Sequence, residues 1–133
     1  MIVLSNTAAQ TLQPGQSLIF DRVVTKCGCG ECHRSNGNSV KLCKRACYEL
    51  AFSANIRGEA VGTVVDLALS LGTDILRETV MESTTPSVDG FNNVATQTGV
   101  RNGCCDFDRV SVVNVGVNPV VVGANSSFSI SLA

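Results

Sequence analysis

Along stretch after stretch of this chain every second residue is apolar, and that rhythm admits few folds. From Cys47 to Arg57, the residues Tyr48, Leu50, Phe52, Ala54 and Ile56 alternate with Glu49, Ser53, Asn55 and Arg57. From Val64 to Leu71, Val65, Leu67, Leu69 and Leu71 form one set, opposed by Asp66 and Ser70. Phe128, Ile130 and Leu132 alternate with Ser127, Ser129 and Ser131. A period of two puts successive side chains on opposite faces of a strand, one toward a core and one toward water. The β-branched runs at 110–115 and 120–122 are bounded by Gly116, Pro119 and Gly123, as strands are.

Turn residues fall where such strands need them. Leu71-Gly72-Thr73-Asp74 places glycine at the first centre of a two-residue hairpin, the requirement of a type II′ turn. Gln13-Pro14-Gly15-Gln16 and Asn118-Pro119 make further breaks. Thr73 to Ser83 also reads as an N-capped helix with Ile75, Leu76, Thr79 and Val80 on one side, but the hairpin turn before it favours continued strand. Strands are expected near 2–4, 16–24, 39–43, 46–57, 62–71, 74–82, 91–101, 109–115, 119–122 and 126–132. About eight to ten short antiparallel strands joined by irregular loops point to an all-β, two-sheet jelly-roll sandwich. No linker or repeat divides residues 1–133, so a single domain is expected.

Composition narrows the function classes. Apolar residues make up 44% of the chain but aromatics only 5%, so the core is aliphatic and aromatic-walled pockets are disfavoured. Charged residues are 16%, below the usual quarter, and a surface so poor in charge is most stable when a partner covers part of it. The net charge of −1 offers no footprint for nucleic acid or an anionic membrane. No segment approaches the ~20 apolar residues of a membrane helix, and the first residues lack the basic region of a signal peptide. A protein that starts in a cytoplasm is therefore expected.

Several stretches carry a likeness to a known family. Cys47-Tyr48-Glu49-Leu50-Ala51-Phe52-Ser53-Ala54-Asn55-Ile56 resembles the long second-sheet strand of the TNF/C1q-like jelly roll. Gly90-Phe91-Asn92-Asn93-Val94-Ala95-Thr96 is similar to the strand that precedes its final hairpins. Asp108 to Asn114, followed by Val120 to Leu132, resembles its last three strands. That module closes the collagen-like filaments of spore-surface proteins and occurs in bacteriophage virion proteins. The resemblance implies a homotrimer, with the final strand central in the inner sheet, and a structural or receptor-facing role. A Gly-X-Y segment is missing here, which favours a virion protein assembled in the host cytoplasm: a bacteriophage head decoration or fibre-head module bound to other virion proteins. A spore- or cell-surface appendage module and a glycan- or receptor-binding module are the alternatives, Phe91 and Phe107 being the exposed aromatics the latter would use.

Seven cysteines stand out in a chain read as cytoplasmic. The dense run is Cys27-Gly28-Cys29-Gly30-Glu31-Cys32-His33, with a second pair at Cys104-Cys105. Two thiolates spaced C-x-x-C on a glycine-rich turn can face one ion, and loops far apart in sequence often meet at one end of a sandwich. The candidate metal site is therefore Cys29, Cys32, His33 and Cys104, with Cys27 and Cys105 as alternates. Thiols with imidazole suit zinc; disulfides formed after release from the cell, or plain unpaired thiols, are the competing readings. Cys29 to His33 also matches the C-x-x-C-H of haem attachment, but that needs export and a helical pocket. Cys43 and Cys47 flank Lys44-Arg45-Ala46, and Cys47, at the head of a core strand, is expected to be buried.

Catalysis finds little footing. The single histidine, His33, stands inside the thiol cluster, and the thiols are grouped. Glu49, Asp66, Glu78, Glu82, Asp89, Asp106 and Asp108 are scattered and read as solvated strand faces. Asp106-Phe107-Asp108 as a calcium loop rests on two carboxylates alone. A cupin-type enzyme needs several histidines. No catalytic residue is assigned, and the chain is read as a non-enzyme.

Overall fold

The computed structural model describes residues 1–26, 31–32, 37–42, 46–101 and 109–132. In chain order its strands begin with β1 (Ile2–Ser5), β2 (Gln10–Leu12), β3 (Arg22–Lys26), β4 (Glu31–Cys32), β5 (Val40–Leu42) and β6 (Cys47–Arg57). They continue as β7 (Val64–Leu71), β8 (Asp74–Ile75), β9 (Met81–Thr84), β10 (Asn92–Arg101), β11 (Arg109–Asn114), β12 (Val120–Val122) and β13 (Ser127–Leu132). All pairings among them are antiparallel.

The larger sheet is organised on β6. One edge of β6 pairs with β10 along ten residues; the other is shared by β13 and β12. Beyond these lie β1 and β2, and β3 closes the sheet outside β1. The smaller sheet runs β4-β5-β11-β7, with β8 and β9 both on β7. Two antiparallel sheets face each other over one aliphatic core: a jelly-roll sandwich.

The alternation sets which side chains fill that core. Tyr48, Leu50, Phe52, Ala54 and Ile56 of β6 are buried, as are Val65, Leu67 and Leu69 of β7. Phe128 is fully buried, its ring 5.4 Å from Phe20 and 6.0 Å from Phe52, the latter edge-on. Leu132, expected on the same inward face, is 40% exposed, although Tyr48 opposite it on β6 is fully buried.

The hairpin between β7 and β8 has Leu71 opposite Asp74 and Gly72 at φ +62°, while Thr73 keeps a negative φ, as the type II′ turn requires. The strand expected at 74–82 is broken, however. β8 is two residues long, a 3-10 turn covers Arg77–Thr79, and only then does β9 begin. Thr79 explains the break: its buried hydroxyl accepts the Leu69 N–H at 2.9 Å and donates to the Leu76 carbonyl at 2.6 Å. The strand expected at 16–24 is also divided. Residues 16–20 run beside β11, where the Leu18 N–H bonds the Val112 carbonyl at 2.8 Å, and Phe20 bridges to Gly37; β3 starts only at Arg22.

Candidate functional site

The outward face of the larger sheet follows from the same alternation that filled the core. With Tyr48, Leu50 and Phe52 turned inward, Glu49, Ala51 and Ser53 of β6 face out, and the ladder carries their neighbours with them. Across the sheet, Gln97, Ala51, Ser129, Val3 and Thr25 form one row. Ala95, Ser53 and Ser127 form the next, and Gly99, Glu49 and Ser131 the one on the other side. Of these eleven positions, only Glu49 is charged.

Ala51, Ser53, Ala95, Gln97, Ser127 and Ser129 line a shallow depression of about 440 Å³ at the centre of this face. The lining holds hydroxyls and an amide but no carboxylate, imidazole, amine or thiol. Small side chains let another backbone approach closely, and uncharged ones cost less to take out of water than charged ones, provided a partner hydrogen-bonds the serine hydroxyls and the Gln97 amide. At one end of the face, Arg57 lies over the Phe91 ring at 5.3 Å and pairs with Asp89 at 3.6 Å. The aromatic expected to serve a glycan or receptor is thus already stacked with a side chain of its own chain.

β10 adds an edge to this face. Its register with β6 is unbroken from Asn92 to Arg101, it contains no proline, and Arg101 at its end is its one charge. Proteins usually blunt a long edge strand with charge, proline or a bulge, and β10 has none of these along its first nine residues.

The expected metal site lies outside the described residues for Cys27, Cys29, His33, Cys104 and Cys105, as do Cys43, Asp106, Phe107 and Asp108. Cys32 is placed by its backbone in β4, opposite Lys41 of β5, and Lys41 faces Arg109 of β11. Cys47 opens β6 opposite Arg101. Among the described residues no three histidine, cysteine or carboxylate side chains gather in metal-binding distance. Cys47 departs from expectation: it is exposed and its thiol is unbridged. It shares the outward parity of Glu49 and Ala51, and that parity outweighs the usual preference of cysteine for the interior.

Two acidic residues are more than solvated faces. Asp66 is half-buried against Gly116, with Oδ1 enclosed and unbonded. Asp21 accepts hydrogen bonds from the Thr7 hydroxyl and, at 2.9 Å, from the Thr7 N–H. These two bonds, the hydroxyl's first, hold its carboxyl below the ordinary value of 3.8.

The small-residue face is what sequence reasoning missed. Its signal was present in the residues opposite the apolar ones, Ala51, Ser53 and the three serines of β13, which were read only as the polar half of an alternation.

By sequence the chain matches no protein-family model and no curated protein. By structure it is similar to an Eiger TNF from S. frugiperda, with a TM-score of 0.76 and 9% identity over 99% of this chain and 91% of that one. The globular domain of a zebrafish complement 1qA protein follows at 0.71 and 12% identity, over 98% of this chain and 94% of that one. The PRD1 vertex protein P5 aligns at 0.51 and 15% identity, over 96% and 94%. At these identities the likeness is one of fold, and the fold is the TNF/C1q-like jelly roll.

Proposed function

We propose that this chain is a structural subunit that assembles as a homotrimer and decorates or stabilises the surface of a virion, as a bacteriophage head decoration or fibre-head module. The observation that carries this reading is the outward face of the larger sheet, centred on Ala51, Ser53, Ser127 and Ser129, with the unblunted edge of β10 at its border. A face of small side chains with a single charge at Glu49 is cheaper to cover with protein than a charged one. The vertex protein among the structural neighbours supports the virion setting.

The area suffices. In a closed three-membered ring each subunit makes two contacts, and a specific interface takes about 800 Å² from each partner. Two such contacts cover roughly a quarter of the subunit's 6634 Å². A neighbouring subunit seated on this face would fill the depression, whose lining holds no titratable side chain. Around the cysteine loops we propose a stabilising zinc ion or disulfides, drawn from Cys29, Cys32, His33 and Cys104 or their alternates Cys27 and Cys105.

Native mass spectrometry at micromolar concentration tests the assembly. The expected species is three times the 13.9 kDa subunit. Ala51→Arg, which puts a charge in the middle of the face without touching the core, is expected to yield folded monomers. A wild-type protein that is monomeric at that concentration refutes the proposal.

A further inference from the structure

The outward face of the smaller sheet carries charge in a pattern that the larger sheet lacks. On β7, Asp66 stands between the buried Val65 and Leu67 and so points away from the core. Glu82 does the same on β9, between Met81 and Ser83. The ladder sets Asp66 and Glu82 directly opposite each other. At the other end of the face, Lys41 stands between the buried Val40 and Leu42 on β5, and Arg109 precedes the buried Val110 on β11. These two cations are also direct partners. Like charges directly opposite repel, so each pair costs the isolated subunit stability.

The two pairs are well separated. Val110 faces Leu71, and the Gly72 N–H bonds the Arg109 carbonyl, so Arg109 is level with Gly72, six residues along β7 from Asp66. At the rise of a strand that is about 20 Å. The outward positions between them are Ala68 opposite Val113, which bridges to Ser17, and Ser70 opposite Ser111, with Ile75 beyond Ser70. None of these is charged. The Ser70 and Ser111 hydroxyls bond each other at 2.6 Å, so they can be covered at little cost. Ala68, Ser70 and Val113 are already almost closed to solvent, so covering them gains little apolar area and a contact here depends on its charges.

Such a face is complementary to itself. A twofold axis lying in the contact plane, midway between the acidic and basic pairs and across the line that joins them, seats the acidic pair of each copy over the basic pair of the other. Two repulsions within each subunit are then answered by attractions between subunits. A uniformly basic or acidic partner would match one end of the face and be repelled by the other. We propose that the outward faces of two smaller sheets dock in this way, an isologous contact between copies of this chain held chiefly by charge. It is distinct from the ring contact proposed for the larger sheet, whose outward face lies on the opposite side of the sandwich. In a threefold ring closed through the larger sheets, each of the three subunits offers this second face, so the contact joins one ring to another.

Sedimentation velocity of the purified protein over a concentration series, in about 0.05 M and about 0.5 M salt, tests this. The species that persists in high salt reports on the ring, and its joining to further copies of itself in low salt reports on this contact, so the two readings stand or fall separately. Wild type is expected to associate further in low salt and to return to the high-salt species when salt is raised. Glu82→Lys and Arg109→Glu each neutralise one pair, and each is expected to weaken the low-salt association about tenfold, because a twofold contact meets every substitution twice. Glu82→Lys replaces a like-charge pair with an opposite one, so its Tm is expected not to fall, which separates loss of contact from loss of fold. Glu59→Lys makes the same change in net charge on the loop between β6 and β7, off this face, and is expected to associate like wild type. The proposal is overturned if wild type shows no further association in low salt, or if that association is unweakened in high salt. It is equally overturned if Glu82→Lys or Arg109→Glu associates like wild type, or if Glu59→Lys weakens the association as much as they do.

Discussion

Truncating Phe128 to alanine probes the centre of the proposed topology. Phe128 sits on β13 between Leu4 of β1 and Phe52 of β6, so its backbone is bonded on both sides. Its side chain is fully buried, and Phe20 and Phe52 lie at 5.4 and 6.0 Å between ring centres. Removing a buried phenylalanine side chain costs about 3–5 kcal/mol, the spread reflecting how far the site collapses. Collapse is restricted here because the flanking strands are tied to β13 and the Phe52 ring meets it edge-on. A loss of about 4 kcal/mol is therefore expected, a large share of the roughly 5–15 kcal/mol that stabilises a domain. In a domain of this size that corresponds to a fall in Tm of about 10–20 °C. Thermal and urea unfolding followed by circular dichroism measure it, with Ser129→Ala, one residue along and facing out, as the control expected to change little. A Phe128→Ala protein less than about 1 kcal/mol below wild type in urea would mean that the ring is not enclosed on all sides, and the central position of β13 would fall with it.

Three further outcomes follow from particular contacts. Cys32→Ser is expected to lower Tm by several degrees, since a disulfide or structural metal typically contributes about 2–5 kcal/mol; a variant that melts like wild type, with and without chelator and reductant, refutes the stabilising role. Asp21 is stabilised as the carboxylate by Thr7, so its contribution is present above the unfolded carboxyl pKa and is lost as pH falls through its lowered one. The Tm difference between wild type and Asp21→Asn should shrink as pH drops below about 4, and a gap that stays constant in acid counts against this linkage. A Cβ on Gly58 would lie 2.7 Å from Thr63 Cβ and 2.8 Å from Thr85 Oγ1, so Gly58→Ala is expected to cost about 1–3 kcal/mol in urea unfolding, whereas a neutral result would show that the 58–63 loop yields freely.

Where two-residue periodicity and burial coincide, the fold is legible in the residues. β6 is the clearest instance: five alternate apolar side chains predict both its length and its inward face, and the core forms on them. The misreadings came from treating residue type as stronger than position. Cys47 was assigned to the interior because cysteines usually lie there, although its parity with Glu49 already placed it outside. Leu132 has the right parity yet is 40% exposed at the end of β13, opposite a buried Tyr48, and alternation alone does not show that difference. The 3-10 turn at Arg77–Thr79 depends on one threonine hydroxyl satisfying a backbone N–H of β7 together with the carbonyl of Leu76, three residues back, an arrangement that alternation does not reveal. The candidate assembly face escaped notice for a related reason. Ala51, Ser53 and Ser127 become one surface only when β6, β10 and β13 lie side by side, and strands so distant in sequence give no local sign of that.

The position of β13 also has a consequence in time. It stands between β1 and β6, with Ile2 opposite Ile130 on one side and Leu50 opposite Ile130 on the other. Until β13 arrives, β1 has no partner on that side and β6 keeps half of its ladder open, however early both strands are made. Closing the sheet thus waits for a contact between nearly opposite ends of the chain, the kind of loop closure that makes β-sandwiches slow to fold. During that wait the apolar sides of β1 and β6 are open to any other unfinished chain. Crowded synthesis of many copies is therefore the condition under which this chain is most vulnerable.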